Sequence, residues 1–200
     1  MSRTSVRLAA TAATAVLAVT GLSGAAAADT TPAPATAASG SVVVHESTAF
    51  IQQTAAAGVV VVPLPAGQPG YDSATGFSAT FPATGGDANL QAYYDKIDLG
   101  GGLLFVNLFT GKTAIFKQLA FQADTWKLTG VPLGATAPVN LLTPAGDNQI
   151  GRTGTTQTLE ASDLKVDAEG AQYVDGKLNT TFFQGGQSIG SLSITFTPAG

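Results

Sequence analysis

Four side chains carry the chemistry that this sequence offers most openly: Tyr71, Tyr93, Tyr94 and His45. A tyrosine phenol or a histidine imidazole can ligate iron, and a tyrosine ring can stack on a flat ligand. The competing role of each is ordinary. Tyr93 and Tyr94 are adjacent and read as aromatics on opposite faces of a strand, Tyr71 sits in a glycine-proline loop at the surface, and His45 ends a strand. His45 is the one histidine in 200 residues, so a site with several histidine ligands is excluded, and a Ser-His-Asp arrangement has a single candidate base.

Oxygen-bearing side chains gather near turns at Asp87, Asn89, Asp95 and Asp98, and again at Asp147 and Asn148. They fall in different loops and do not follow the twelve-residue spacing of an EF-hand, so they read as solvated turn carboxylates. Asp163, Asp167 and Glu169 read as helix-capping and surface charges. No G-x-S-x-G elbow is present, no pair of acids is singled out for glycoside hydrolysis, and the Gly100-Gly101-Gly102 run lies between strands rather than before a helix. The sequence supplies no cysteine, which excludes thiolate zinc sites and a disulfide framework.

Composition narrows the class further. Charged residues are 11% of the chain against a usual value of about 25%, hydrophobic residues are 44%, and glycine and proline number 24 and 10. That mixture suits one turn-rich β domain with a real core. The net charge is −4 without a basic patch, which argues against nucleic acid and against docking on anionic lipid.

Residues 1–28 have the pattern of a secretory leader. Arg3 and Arg7 precede an Ala/Leu/Val-rich run, and Ala26, Ala27 and Ala28 each offer a small-residue cleavage site. The mature chain is then expected to be secreted, extracellular or loosely associated with the cell wall, without a membrane span. Residues 29–40, DTTPAPATAASG, read as a disordered linker, and 41–200 as a single domain.

Within that domain the organising stretch is 81–121. Glycine turns at 84–87, 100–102 and 110–112 divide it into extended runs, 89–99, 103–109 and 113–124, and so predict an antiparallel meander. Ile115, Leu119 and Phe121 are expected on one face. Strands are also expected at 41–45, 59–62, 74–81, 126–131, 158–166 and 189–197. Helices are expected at 48–57, capped by Ser47 and closed by Gly58, and at 168–178, capped by Asp167. Residues 65–73 read as a loop, and 134–154 as the longest irregular section, with a short strand at 139–142. The resulting fold class is mainly β: an antiparallel sandwich or partly open barrel with two short peripheral helices.

The segments FPATGG (81–86), IDLGGGLLF (97–105), LKVDAEGAQYV (164–174) and SIGSLSITFTP (188–198) resemble an HtaA-like domain of secreted or wall-associated proteins of high-GC Gram-positive bacteria. The resemblance spans about 73–198, and 166–171 is its most specific part. It implies a β-rich extracellular domain. For some members it implies haem binding through a tyrosine on an N-terminal segment with a nearby histidine. The aromatic opening of those members is absent here, so no residue is carried over as a ligand. The function expected is therefore a non-enzymatic binding or structural role towards a small ligand or surface protein, with no cofactor required. Haem binding in iron acquisition is the first alternative and a secreted hydrolase the second.

Overall fold

The computed structural model describes residues 36–73 and 75–200. The expected leader and most of the expected linker lie outside the described residues. The linker reading is corrected at its end, because strand β1 (Ser39–Glu46) already begins at Ser39, paired with Thr197.

The remaining elements follow in chain order: α1 (Thr48–Ala56), β2 (Val59–Leu64), β3 (Gln68–Asp72), β4 (Gly76–Gly85), β5 (Lys96–Leu99), β6 (Gly102–Asn107), β7 (Thr113–Gln122), β8 (Lys127–Pro132), β9 (Val139–Thr153), β10 (Thr156–Val166), α2 (Ala168–Leu178) and β11 (Ser188–Thr197). Strands β7, β5, β4, β1, β11, β10, β9 and β8 pair in that order, and β8 returns to β7. The ring is therefore a closed, eight-stranded antiparallel barrel. The mainly-β class with two helices is as expected, and closure decides between the sandwich and the barrel.

The wall of the barrel is not uniform. β5 is only four residues long and joins β4 to β7 near one end, through Ala83 and Gly85 on β4 and through Ala120, Phe121 and Gln122 on β7. Below it the two neighbours diverge. β4 takes β3 as its partner, while β7 takes β6, and β6 takes β2. β2 and β3 approach each other without ladder pairing. The wall is thus split into two lips on one side, and α1 lies beside the split, against β2 and β11.

Alternation explains the core. Val42 and Val44 on β1, Ala79 and Phe81 on β4, and Leu192, Ile194 and Phe196 on β11 all point inward, as period-2 patterning requires. In β7 the inward set is Ala114 and Phe116, then Leu119 and Phe121. Gln118 has φ +48° and lies where the pairing register with β8 shifts, so the extra residue changes the parity of the strand. Ile115 therefore leaves the face that sequence alternation gave it.

Both helices form as their caps dictate. The Ser47 Oγ accepts from Phe50 N at 3.1 Å, and Asp167 Oδ1 accepts from Glu169 N at 3.0 Å. α2 buries Ala171, Val174 and Leu178, as its spacing predicts, and lies so close to β9 that a Cβ on Gly170 would stand 2.6 Å from the Asn140 carbonyl oxygen.

Three further expectations are corrected. Residues 134–138 are irregular as expected and the short strand expected at 139–142 is present, but it does not stop there: β9 runs for 15 residues and pairs with β10 up to Thr153 opposite Thr156. Its outer part, 146–149, is exposed, so no apolar alternation marks it, and hydrogen bonds to β10 hold it extended. Residues 68–72, expected as loop, form β3. Only 96–99 of the expected strand 89–99 is extended, because 89–95 turn back on themselves through the Asn89–Tyr94 bridge.

Candidate functional site at the barrel mouth

The split in the wall opens on one row of residues. In the pairing register Tyr71 stands opposite Phe77, Phe77 opposite Glu46, and Glu46 opposite Gly190. Directly opposed residues in antiparallel strands project from the same face. That face is the inward one, because Glu46 follows Val42 and Val44, and Phe77 precedes Ala79 and Phe81, at intervals of two. At this end of the barrel the inward face is no longer covered. Phe77 is 50% exposed and Tyr71 is 69% exposed, and their rings meet at 5.0 Å with a 57° tilt.

Glu46 is the hub of three spaces. One is an interior cavity of about 60 Å³ whose walls are otherwise apolar, among them Val44, Phe50, Phe81, Phe105 and Val174. The second is a groove of about 290 Å³ between α1 and β2, floored by Ile51, Val60 and Val61 and reaching Phe77. The third, of about 300 Å³, lies between α1 and the β3–β4 hairpin and includes Tyr71 and Thr75. Ligand pockets occupy about 300–1,000 Å³, so the two grooves are at the small end of that range and the interior cavity is well below it.

Burial holds the Glu46 carboxyl above the ordinary glutamate range. Among the described residues its side chain takes part in none of the three ion pairs, which join Lys96 to Asp98, Lys127 to Asp167 and Lys165 to Asp163. The arrangement offers a hydrogen-bond acceptor beside an aromatic pair at the entrance to an apolar interior. Among the described residues no three His, Asp or Glu side chains come together as a metal site requires.

The structure separates the four residues that the sequence singled out. Tyr71 belongs to the mouth, on β3 rather than in a loop. His45 is the residue before Glu46 and therefore faces the other side of β1, in the row of Gly70, Ser78 and Ser191. Its Nδ1 is buried without a hydrogen-bond partner among the described residues. Tyr93 and Tyr94 lie beyond the far end of β4. Some eight residues of strand separate them from Phe77, or about 26 Å at 3.3 Å per residue.

Tyr93 and Tyr94 are not opposed strand aromatics, which corrects that expectation. Tyr93 has φ +54° in a turn and packs on Trp126 at 5.3 Å, and Trp126 in turn meets Phe121 at 6.0 Å. Trp126 itself lies in the β7–β8 turn with φ +54° rather than in a strand. The turn carrying the two tyrosines is stapled to the barrel by Gln157, whose Oε1 accepts from Leu90 N and whose Nε2 donates to the Ala88 carbonyl, both at 2.8 Å.

Sequence reasoning missed Glu46. The signal was present, since alternation along SVVVHE puts Glu46 on the face of Val42 and Val44, where an acid is out of place. The turn acids, by contrast, remain dispersed: Asp98 pairs with Lys96 at 2.7 Å, and Asp95 accepts from the Lys96 backbone N–H.

Among the described residues no helix is long and apolar enough to cross a membrane. No family model matches the sequence, and neither does any curated protein. In three dimensions the chain is similar to the crystal structure of the C-terminal domain of HtaA from Corynebacterium glutamicum, with a TM-score of 0.54 and 13% sequence identity, over 83% of this chain and 99% of that one. At that identity the likeness is one of fold, and it agrees with the expectation of a distant HtaA-like architecture.

Proposed function

We propose that this chain is an exported, non-enzymatic binding protein of the bacterial cell surface or extracellular space, and that it takes a small, largely apolar ligand at the barrel mouth. The observation that carries this reading is the row Tyr71–Phe77–Glu46, in which Phe77 and Glu46 line an apolar groove beside α1 and all three residues line a more polar one under the β3–β4 hairpin, Glu46 also reaching the interior cavity. A rigid barrel that leaves two large aromatics exposed beside a groove has not completed its own packing there. The leader-like residues 1–28 and the distant likeness to an HtaA domain support the exported setting.

Titration of the protein with an apolar fluorescent probe tests the site. Saturable binding that Phe77→Ala weakens supports the reading, and binding unaffected by Phe77→Ala and Tyr71→Ala contradicts it. Amino-terminal sequencing of protein recovered from culture medium tests export, with cleavage after Ala26, Ala27 or Ala28 expected.

A second reading, haem binding, is favoured by one observation: the exposed Tyr71 phenol stands on the apolar ring of Phe77 at the same mouth. A saturable one-to-one Soret spectrum on haem addition that Tyr71→Phe abolishes supports it. A flat response, or a spectrum indifferent to Tyr71→Phe, removes it.

A further inference from the structure

We propose that the mouth selects an apolar ligand carrying a single positive charge, an alkylammonium or quaternary ammonium amphiphile, with the Glu46 carboxylate as its counter-ion. This inference rests on the binding site argued above and adds the chemistry of the ligand. Val44, Phe50, Phe77 and Val61 present only carbon to the interior cavity and to the groove between α1 and β2, where Thr54 is the other polar liner, while Thr48, Ser73 and Thr75 bring neutral hydroxyls to the third space. No lysine, arginine or histidine lines the interior cavity or either groove, and Tyr71 is the one other titratable liner among the described residues. No ion pair or side-chain hydrogen bond there engages the Glu46 carboxyl.

A carboxylate in apolar surroundings without a partner is costly, and a cation brought by a ligand relieves that cost. The neighbouring rings point to the same class. Tyr71 and Phe77 form one tilted aromatic corner beside the acid, and an aromatic corner with a carboxylate is how ammonium groups are held when they are partly desolvated. The alkyl part of such a ligand fits the groove between α1 and β2. The interior cavity of about 60 Å³ admits no more than a chain end.

The test is calorimetric titration of the full chain with three probes of equal chain length: octyltrimethylammonium, octanol and octanoate. The ammonium is expected to bind at least about tenfold more tightly than octanol, with octanoate weakest. Glu46→Gln is expected to abolish the preference for the ammonium over octanol, and Phe77→Ala to weaken both. Equal affinities for the three probes, or octanoate the tightest, overturn the charge selection while leaving apolar binding intact. Absence of binding by all three overturns the binding site itself. A thermal melt of Glu46→Gln matching or exceeding that of the parent shows that its loss of ammonium preference is not a loss of fold.

Discussion

Gln157→Leu isolates the polar staple that holds residues 88–95 to the barrel. Gln157 is 2% exposed, and both of its amide atoms are used, on Leu90 N and on the Ala88 carbonyl, each at 2.8 Å. Leucine has nearly the same bulk, so little cavity is created, and the change removes the partners of two buried backbone groups. Each such group costs about 1–3 kcal/mol when left unsatisfied, so the variant should lose about 4 kcal/mol. For a domain of this size 1 kcal/mol moves the midpoint by about 2–4 °C, which gives a drop of roughly 8–16 °C. Thermal unfolding followed by circular dichroism reads this directly, and hydrogen exchange at Leu90 should accelerate. Trp126 emission should change too, because Tyr93 rides on the same turn. Gln157→Glu sharpens the test. The ionised acid can still accept from Leu90 N but faces the Ala88 carbonyl without a proton, and the protonated acid can donate to it. This variant should therefore gain stability, relative to the parent, as the pH is lowered. A Gln157→Leu protein within about 1 kcal/mol of the parent would refute the staple, as would a Gln157→Glu protein whose deficit is independent of pH.

Asp167 both caps α2 and meets Lys127 at 2.9 Å. Burial works to raise its pKa, but the Lys127 ammonium, the Glu169 N–H and the Thr143 hydroxyl outweigh it and hold the carboxyl below the ordinary aspartate range. Asp167→Ala should cost about 1–2 kcal/mol in urea unfolding, and Asp167→Asn, which keeps the cap, less than about 1. The parent's advantage over Asp167→Asn should be complete above the unfolded aspartate pKa of about 3.9 and fade as pH falls through the lower folded value. The two helix glycines should respond oppositely. Gly170→Ala drives a methyl onto the β9 backbone and should destabilise by about 1–3 kcal/mol, whereas Gly176→Ala, with open space around it, should stabilise by roughly 0.5–1 kcal/mol. Glu46→Gln should raise stability at neutral pH. The folded state holds the Glu46 proton more tightly than the unfolded chain does, so parent stability falls as pH rises from about 4.3 through the higher folded value, and the two proteins should converge below that window.

The parts of the fold legible in the sequence are those in which local pattern and tertiary environment agree. Ser47 and Asp167 announce helix starts because their side chains cap whether or not a core is present. β11 shows its alternation because it lies between β1 and β10 with one face wholly buried. Where the environment departs from that pattern the sequence is silent or misleading. The outer part of β9 is extended by its partner strand and not by burial, so its glycines and polar residues resemble a loop. The bulge at Gln118 inverts the parity of β7, which no count of apolar residues reveals. Barrel closure depends on β5, four residues whose two neighbours are far apart in sequence. Of the site, Tyr71 was visible as an aromatic among turn residues. Its partners were not, since Phe77 reads as an ordinary strand residue and Glu46 as the polar end of an apolar run. What joins them is a pairing register across three strands.

Backbone amide chemical shifts, followed while octyltrimethylammonium is added to the isotopically labelled protein, locate the binding surface residue by residue. Saturable shifts are expected at Glu46, Tyr71, Phe77 and the facing residues of α1, with little change in the turn that carries Tyr93 and Tyr94. Shifts confined to that turn, or to the polar cleft beside Lys96 and Gln118, would place the binding surface at the opposite end of the barrel and contradict a site at the mouth.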